Sequence, residues 1–86
     1  MYYVYILENF EDKSLYIGYT SDLRKRIKDH IEGRGTRTTR IKKGWKLIYY
    51  ESYFDKRDAF CREKFLKSGS GRRYIYKQLK NYLEIV

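Results

Sequence analysis

Three ionisable side chains fall at positions where helical periodicity turns them toward an apolar interface. Arg26 and His30 are four residues apart on one predicted helix, so they lie together along the margin of its apolar stripe. Glu63 projects between the apolar positions of another predicted helix. An unpaired buried charge is too costly to keep, so this carboxylate must be paired, metal-bound or protonated. It is predicted either to form a salt bridge with Arg26 or another arginine, or to bind magnesium, which prefers oxygen ligands.

Arg26 and His30 each have a structural alternative to a chemical role. An arginine at a buried edge usually has a carboxylate partner, and a lone histidine is more often structural than catalytic. Position alone therefore favours a structural role for His30 and leaves the role of Arg26 open.

Two runs of strand-forming residues precede these helices. The runs Tyr2–Leu7 and Leu15–Tyr19 are separated by a polar stretch, which predicts an antiparallel hairpin. Apolar or aromatic side chains occupy both odd and even positions, so the sheet is predicted to be covered on both faces. Gly18 lies near the end of the second predicted strand, just before the first predicted helix. Its missing side chain allows close approach of a backbone or a phosphate, or simply a tight exit from the strand.

The rest of the chain predicts three helices and one more strand. The first helix follows a Ser21 or Asp22 cap, and its apolar stripe consists of Leu23, Ile27 and Ile31. The predicted bounds are Leu23–Glu32 for this helix, Lys46–Phe54 for the strand, and Lys56–Lys67 and Arg72–Glu84 for the later helices. The order is strand, strand, helix, strand, helix, helix, in a single domain of residues 1–86.

The charge of the chain predicts an anionic partner. It carries 20 lysines and arginines against 11 acidic residues, a formal net charge of +9. The stretch Gly33–Lys43 is predicted to be a basic loop with five cations, no acid and several threonines, which suits phosphate oxygens, although such loops are often simply solvated. The last helix presents three more cations. The predicted nucleic-acid-binding residues are Arg34, Arg37, Arg40, Lys42, Lys43, Arg73, Lys77 and Lys80.

The same sequence argues against membrane insertion and secretion. It contains no apolar run of membrane-spanning length, and Met1 leads directly into a strand rather than a signal peptide. The single Cys61 excludes an internal disulfide and a cysteine zinc cluster. These features predict a cytoplasmic protein.

Four motifs in order carry a family resemblance: Tyr3-Val4-Tyr5, Tyr16-Ile17-Gly18, Asp22 to Arg26 followed by His30, and Arg62-Glu63-Lys64. Together they resemble the GIY-YIG nuclease superfamily, in particular its small stand-alone bacterial members. The resemblance implies an α+β (α/β) fold in which a three-stranded antiparallel sheet is flanked by helices. The first triplet departs from the family pattern because Tyr3 replaces the glycine and Val4 the isoleucine, but Tyr5 is kept.

The resemblance also implies an endonuclease that cuts nucleic acid by water attack with one divalent metal, Mg²⁺ or Mn²⁺. Carried over by position, the catalytic residues are Tyr5, Tyr16, Arg26, His30 and Glu63, with Glu63 as the metal ligand. A tyrosine, whose reference pKa is near ~10, is a general base only where cations or hydrogen bonds favour the phenolate. Tyr16 is the predicted base, Arg26 holds phosphate oxygens, and His30 orients the water or relays its proton.

DNA is favoured over RNA as the substrate, cut by structure or with weak specificity because no second domain reads a long site. The resemblance places such an activity in DNA repair or recombination. Two alternatives remain open: a binding module of the same fold that has lost or weakened catalysis, and a small RNA-binding domain. The latter explains the charge but not the inward-facing Glu63.

Overall fold

The fold is organised around a three-stranded antiparallel sheet. The computed structural model describes residues 1–84, the side chain of Thr38 excepted. Its strands are β1 (Tyr2–Asn9), β2 (Leu15–Thr20) and β3 (Trp45–Tyr53), in the spatial order β2-β1-β3. Because β1 is central, its apolar run is covered on both edges and both faces. The predicted hairpin and sheet are confirmed.

Within residues 1–84, five helices accompany the sheet: α1 (Leu23–Ile31), α2 (Arg37–Ile41), α3 (Lys56–Lys67), α4 (Gly69–Gln78) and α5 (Lys80–Leu83). Alternation along the strands divides the core between the two faces. On the α1 face, Tyr5, Leu7 and Trp45 form a buried cluster. On the opposite face, which α3 and α4 cover, the buried residues are Val4, Ile6, Ile17, Ala59, Leu66 and Ile75.

The helix starts follow local sequence rules. The Asp22 carboxylate accepts from the Lys25 amide at the start of α1, and the Asp55 carboxylate accepts from the Arg57 amide at the start of α3. The apolar stripe of α1 is shorter than predicted, because Ile31 is 63% exposed while His30 takes the inward position of the last turn. The end of α1 is therefore polar on its buried side.

Two predicted bounds are corrected. The stretch Gly33–Lys43, predicted as a loop, contains α2. The last helix, predicted as Arg72–Glu84, begins at Gly69 after a Ser68 cap and is divided at Leu79 into α4 and α5. It begins earlier because Gly71 has no side chain and can press against the Phe65 carbonyl at the end of α3. Among the described residues, no helix combines the length and apolar character needed to cross a membrane.

Candidate active site

The site begins with the side chain of Tyr5, which crosses from the central strand over the edge strand β2. Tyr5 is paired with Gly18 in the β1–β2 register. A Cβ atom at Gly18 would overlap the Tyr5 hydroxyl and approach the Tyr5 Cζ to 2.5 Å. The sequence left the use of this glycine open between a backbone, a phosphate and a tight turn. The space is filled instead by the Tyr5 phenol.

His30, in the last turn of α1, is the hydrogen-bonding partner of the Tyr5 hydroxyl. The Tyr5 oxygen lies 2.8 Å from His30 Nε2, and His30 Nδ1 lies 2.7 Å from Thr39 Oγ1 on α2. His30 is 2% exposed. Burial lowers the pKa of His30 below its usual value, the Arg26 guanidinium lowers it further, and Asp29 opposes the shift. The imidazole is therefore neutral near pH 7, with both ring nitrogens hydrogen-bonded.

Tyr16 completes an aromatic cluster with these two rings. Its ring centroid lies 6.3 Å from that of Tyr5, 5.3 Å from that of His30 and 6.3 Å from that of Trp45, with which it forms an edge-to-face pair. Its hydroxyl makes no hydrogen bond to another described residue. Unlike Tyr5, Tyr16 thus has no histidine partner for its proton.

Arg26 on α1 and Glu63 on α3 act electrostatically on the Tyr5 hydroxyl. Burial raises the pKa of Tyr5 well above its usual value, the Tyr16 phenol adds to the rise, and Arg26 opposes it. The negative charge of Glu63 acts on the same hydroxyl and raises the pKa further. Tyr5, Tyr16 and His30 thus contact one another directly, whereas Arg26 and Glu63 act on the Tyr5 hydroxyl through their charges.

Glu63, the predicted metal ligand, is largely buried and has one weak protein partner. Its side chain is only 14% exposed, and one oxygen pairs at 3.2 Å with Lys67, whose side chain is 54% exposed. Such an i,i+4 pair contributes only about 0.3–0.5 kcal/mol, and the partner is a lysine rather than the arginine that the sequence suggested. In the described part of the chain, His, Cys, Asp and Glu form no cluster of three or more that could bind a metal. The donor set fits Mg²⁺, which is commonly held by one or two carboxylates plus water and substrate phosphate.

A polar cluster that the sequence did not predict holds Arg62, the residue next to Glu63, in place. Arg62 donates to both oxygens of Glu51 on β3, at 2.9 and 3.0 Å, and the Tyr49 hydroxyl donates to the same carboxylate at 2.6 Å. The Arg62 guanidinium also lies 4.6 Å from the Tyr74 ring centroid. This cluster ties the middle of α3 to β3 and α4. The alternation of Tyr49, Glu51 and Tyr53 on one strand face was the available signal.

The predicted nucleic-acid-binding residues divide into groups. Arg34 pairs with Asp29 and Glu32, and Lys42 pairs with Asp12, so their charges are partly neutralised by the protein itself. Thr39 of α2 contacts α1 on one face of the sheet, whereas Ile75 of α4 packs in the core of the opposite face, so the structure does not unite all eight cations into one surface. Three exposed members, Arg37, Arg40 and Lys43, form no ion pair with another described residue, and neither do Arg73, Lys77 and Lys80.

The site therefore combines two tyrosines from the hairpin, an arginine and a histidine from the following helix, and a carboxylate from a later helix. The sequence profile of the GIY-YIG catalytic domain matches residues 1–78. The chain belongs to the GIY-YIG family, as the sequence motifs predicted.

Its relatives include small proteins of the same kind. The chain is 48% identical over 67 residues to the UPF0213 protein CPE1444 of Clostridium perfringens, covering 78% of this chain and 71% of that protein. It is 41% identical over 70 residues to the UPF0213 protein SpyM50708 of Streptococcus pyogenes, covering 81% and 75%. The solution NMR structure of the UPF0213 protein BH0048 from Bacillus halodurans matches with a TM-score of 0.56 and 34% identity, covering 91% of this chain and 85% of that one.

Proposed function

We propose that this protein is an endonuclease that hydrolyses phosphodiester bonds in nucleic acid with water as the nucleophile. The observation that carries the proposal is the contact between the Tyr5 hydroxyl and a buried, neutral His30, with Arg26 and Glu63 acting on the same hydroxyl. Membership of the GIY-YIG family supports it.

The proton of the attacking water leaves through Tyr5 and His30. A free Tyr5 phenolate is disfavoured by burial, so Tyr5 takes the water proton as it passes its own to His30 Nε2. The water oxygen forms the new bond to phosphorus while the bond to the leaving oxygen breaks. Sequence reasoning had given the role of base to Tyr16. The contacts favour Tyr5 with His30, and leave the Tyr16 hydroxyl to hold the water or a phosphate oxygen.

Arg26 and Glu63 supply the charge that the reaction needs. Arg26 holds the non-bridging phosphate oxygens, whose negative charge grows as water adds. Glu63 would hold Mg²⁺ or Mn²⁺, with water and substrate phosphate completing the coordination shell. When bound, the ion stabilises negative charge on the leaving oxygen.

The proposed substrate is DNA rather than RNA, cut by structure or with weak sequence specificity, in a cytoplasmic role in repair or recombination. The net charge of +9 supports a nucleic-acid partner. Arg37 and Arg40 lie on α2, which also carries Thr39, the hydrogen-bonding partner of His30. Phosphates bound to α2 would therefore lie beside the reacting centre.

The test is an assay of the purified chain on single-stranded, duplex, nicked, flap and branched DNA and on RNA, with Mg²⁺, Mn²⁺ or a chelator. Tyr5→Phe is expected to lower the single-turnover rate at least about 100-fold, more than Tyr16→Phe does. Glu63→Gln should abolish metal-dependent cutting while the chain stays folded. The exposed Tyr76 on α4 offers a matched control, Tyr76→Phe, which should leave the rate unchanged.

Equal rates for Tyr5→Phe and the parent chain would remove the Tyr5–His30 pair from the mechanism. A larger loss in Tyr16→Phe than in Tyr5→Phe would return the role of base to Tyr16. Binding without cleavage on every substrate would refute the nuclease and support a binding module of the same fold.

A further inference from the structure

The segment after α1 folds back and encloses His30. Thr39 is 1% exposed and reaches His30 Nδ1 at 2.7 Å. Gly35 lies directly against this contact, because a Cβ at that position would overlap both His30 Nδ1 and Thr39 Oγ1. The backbone at Gly35 thus covers the side of His30 that faces away from Tyr5 and keeps water from the hydrogen bond.

The available hydrogens indicate which group donates in each hydrogen bond between Thr39, His30 and Tyr5. A threonine hydroxyl has one hydrogen, and Thr39 Oγ1 also lies 3.2 Å from the Thr36 carbonyl oxygen, which can only accept. If Thr39 donates to that carbonyl, its oxygen accepts from His30, so His30 Nδ1 carries the ring hydrogen. In a neutral ring Nε2 is then bare, and the Tyr5 hydroxyl donates to it.

The opposite direction leaves hydrogen-bonding groups unmatched. If His30 Nε2 carried the hydrogen, the Tyr5 oxygen would accept from it. The Arg26 guanidinium acts on the same oxygen through its charge, and it can only donate, so it offers no acceptor for the Tyr5 hydrogen. The Tyr5 hydrogen would then have no acceptor among the hydrogen bonds of the described residues. Buried donors without acceptors are rare because each costs about 1–3 kcal/mol.

We propose that Thr39 is a positioning residue that holds His30 in its Nδ1–H form, so that the bare Nε2 faces the Tyr5 hydroxyl. The inference rests on the proposed function for its consequence, since only this form lets His30 take the Tyr5 proton. It gives α2 a second role beside its exposed arginines: the same short helix supplies cations for phosphate and the residue that positions the proton acceptor His30.

His30 is the single histidine in the chain, so the proposal has a direct readout that does not need a substrate. The ¹⁵N and ¹³C chemical shifts of the His30 ring distinguish the two neutral forms in the folded parent chain. We expect the Nδ1–H form. In Thr39→Val, which keeps the side-chain shape but loses the hydroxyl, the Nε2–H form should become populated. In Thr39→Ser, which restores the hydroxyl, the Nδ1–H form should return.

Kinetics give the second readout. Hydrogen-bonding partners of metal-binding histidines typically contribute 10- to 100-fold, and by analogy Thr39→Val should lower kcat by about that factor and leave KM within about twofold. Thr39→Ser should recover most of the lost rate. A purely structural disturbance of α2 would instead raise KM, because Arg37 and Arg40 would be displaced.

Two results would overturn the inference: an Nε2–H ring in the folded parent chain, or a Thr39→Val variant with an unchanged ring and an unchanged kcat. The first measurement needs only the parent chain, so it decides the matter even if Thr39→Val fails to fold. An Nδ1–H ring in a chain that cuts none of the substrates would support the assignment of Thr39 and refute the proposed function.

Discussion

Replacing Gly18 by alanine should separate activity from stability. The new Cβ would lie 2.5 Å from the Tyr5 Cζ, whereas carbon atoms in contact are normally about 3.5–4.0 Å apart. The Tyr5 ring must therefore move by about 1 Å or more. A shift of that size is enough to stretch its hydrogen bond to His30, now 2.8 Å, beyond the 3.5 Å or so past which no useful bond remains.

The effect on stability is expected to be small by comparison. Overpacking a core typically costs about 1–3 kcal/mol, while replacing a glycine inside a strand regains about 0.5–1 kcal/mol of conformational entropy. The free energy of unfolding should fall by roughly 0–2.5 kcal/mol. The cleavage rate should fall at least about 100-fold, because the proton relay begins at the displaced hydroxyl.

The assay combines urea unfolding with single-turnover cleavage. Gly69→Ala is the matched control, because a Cβ at Gly69 would meet only Arg73 Nη1, at an ordinary 3.7 Å. It should leave the rate unchanged. In a Tyr5→Phe background, Gly18→Ala should cause little further loss of rate, because the hydroxyl is already gone. A folded Gly18→Ala variant with the parental rate would refute the view that this glycine makes room for Tyr5.

Three further results are expected. Replacing Arg37 and Arg40 by alanine should make the log–log salt slope of duplex-DNA binding less steep by roughly 2, whereas an unchanged slope would mean that neither contacts phosphate. The pKa of His30 is lower in the folded than in the unfolded chain, so the unfolded state binds the extra proton at acid pH. The free energy of unfolding should therefore fall as the pH drops below about 6.5, by up to about 1.4 kcal/mol per pH unit. Urea titrations of His30→Gln should lack this pH dependence. Arg62→Met should lower the free energy of unfolding by about 1–3 kcal/mol, because it leaves the Glu51 carboxylate with an unpaired charge. Adding Glu51→Gln to Arg62→Met removes that charge and should recover part of the loss. Equal losses in the single and the double variant would contradict this explanation.

Much of the fold could be predicted from the sequence because the determining interactions are local. Alternating and continuous apolar runs predicted three strands, and the carboxylates at Asp22 and Asp55 marked two helix starts. The ordered motifs predicted the family. Periodicity also predicted that Arg26 and Glu63 face inward, since the position of a side chain on a helix follows from its place in the chain.

The remaining bounds depended on contacts between distant segments. A five-residue helix such as α2 is too short to be stable by its own propensity, so no local pattern marked it. The position of α2 is set by the hydrogen bond between Thr39 and His30. Just after α2, the Lys42 carbonyl accepts a hydrogen bond from the Trp45 indole at 2.9 Å. Likewise, α4 begins early because Gly71 meets the end of α3.

The sequence by itself determined which residues are available for chemistry, because their types and order identify the family and their spacing turns them inward. Only the tertiary structure decided their connections. Tyr5 and His30 are separated by 25 positions, and their hydrogen bond exists because β2 carries no side chain at Gly18. Thr39 completes the chain because Gly35 lets the backbone close over the histidine. Hydrogen bonds of this kind require atoms within about 3 Å, and that proximity is set by how the elements pack, which spacing along a sequence does not specify.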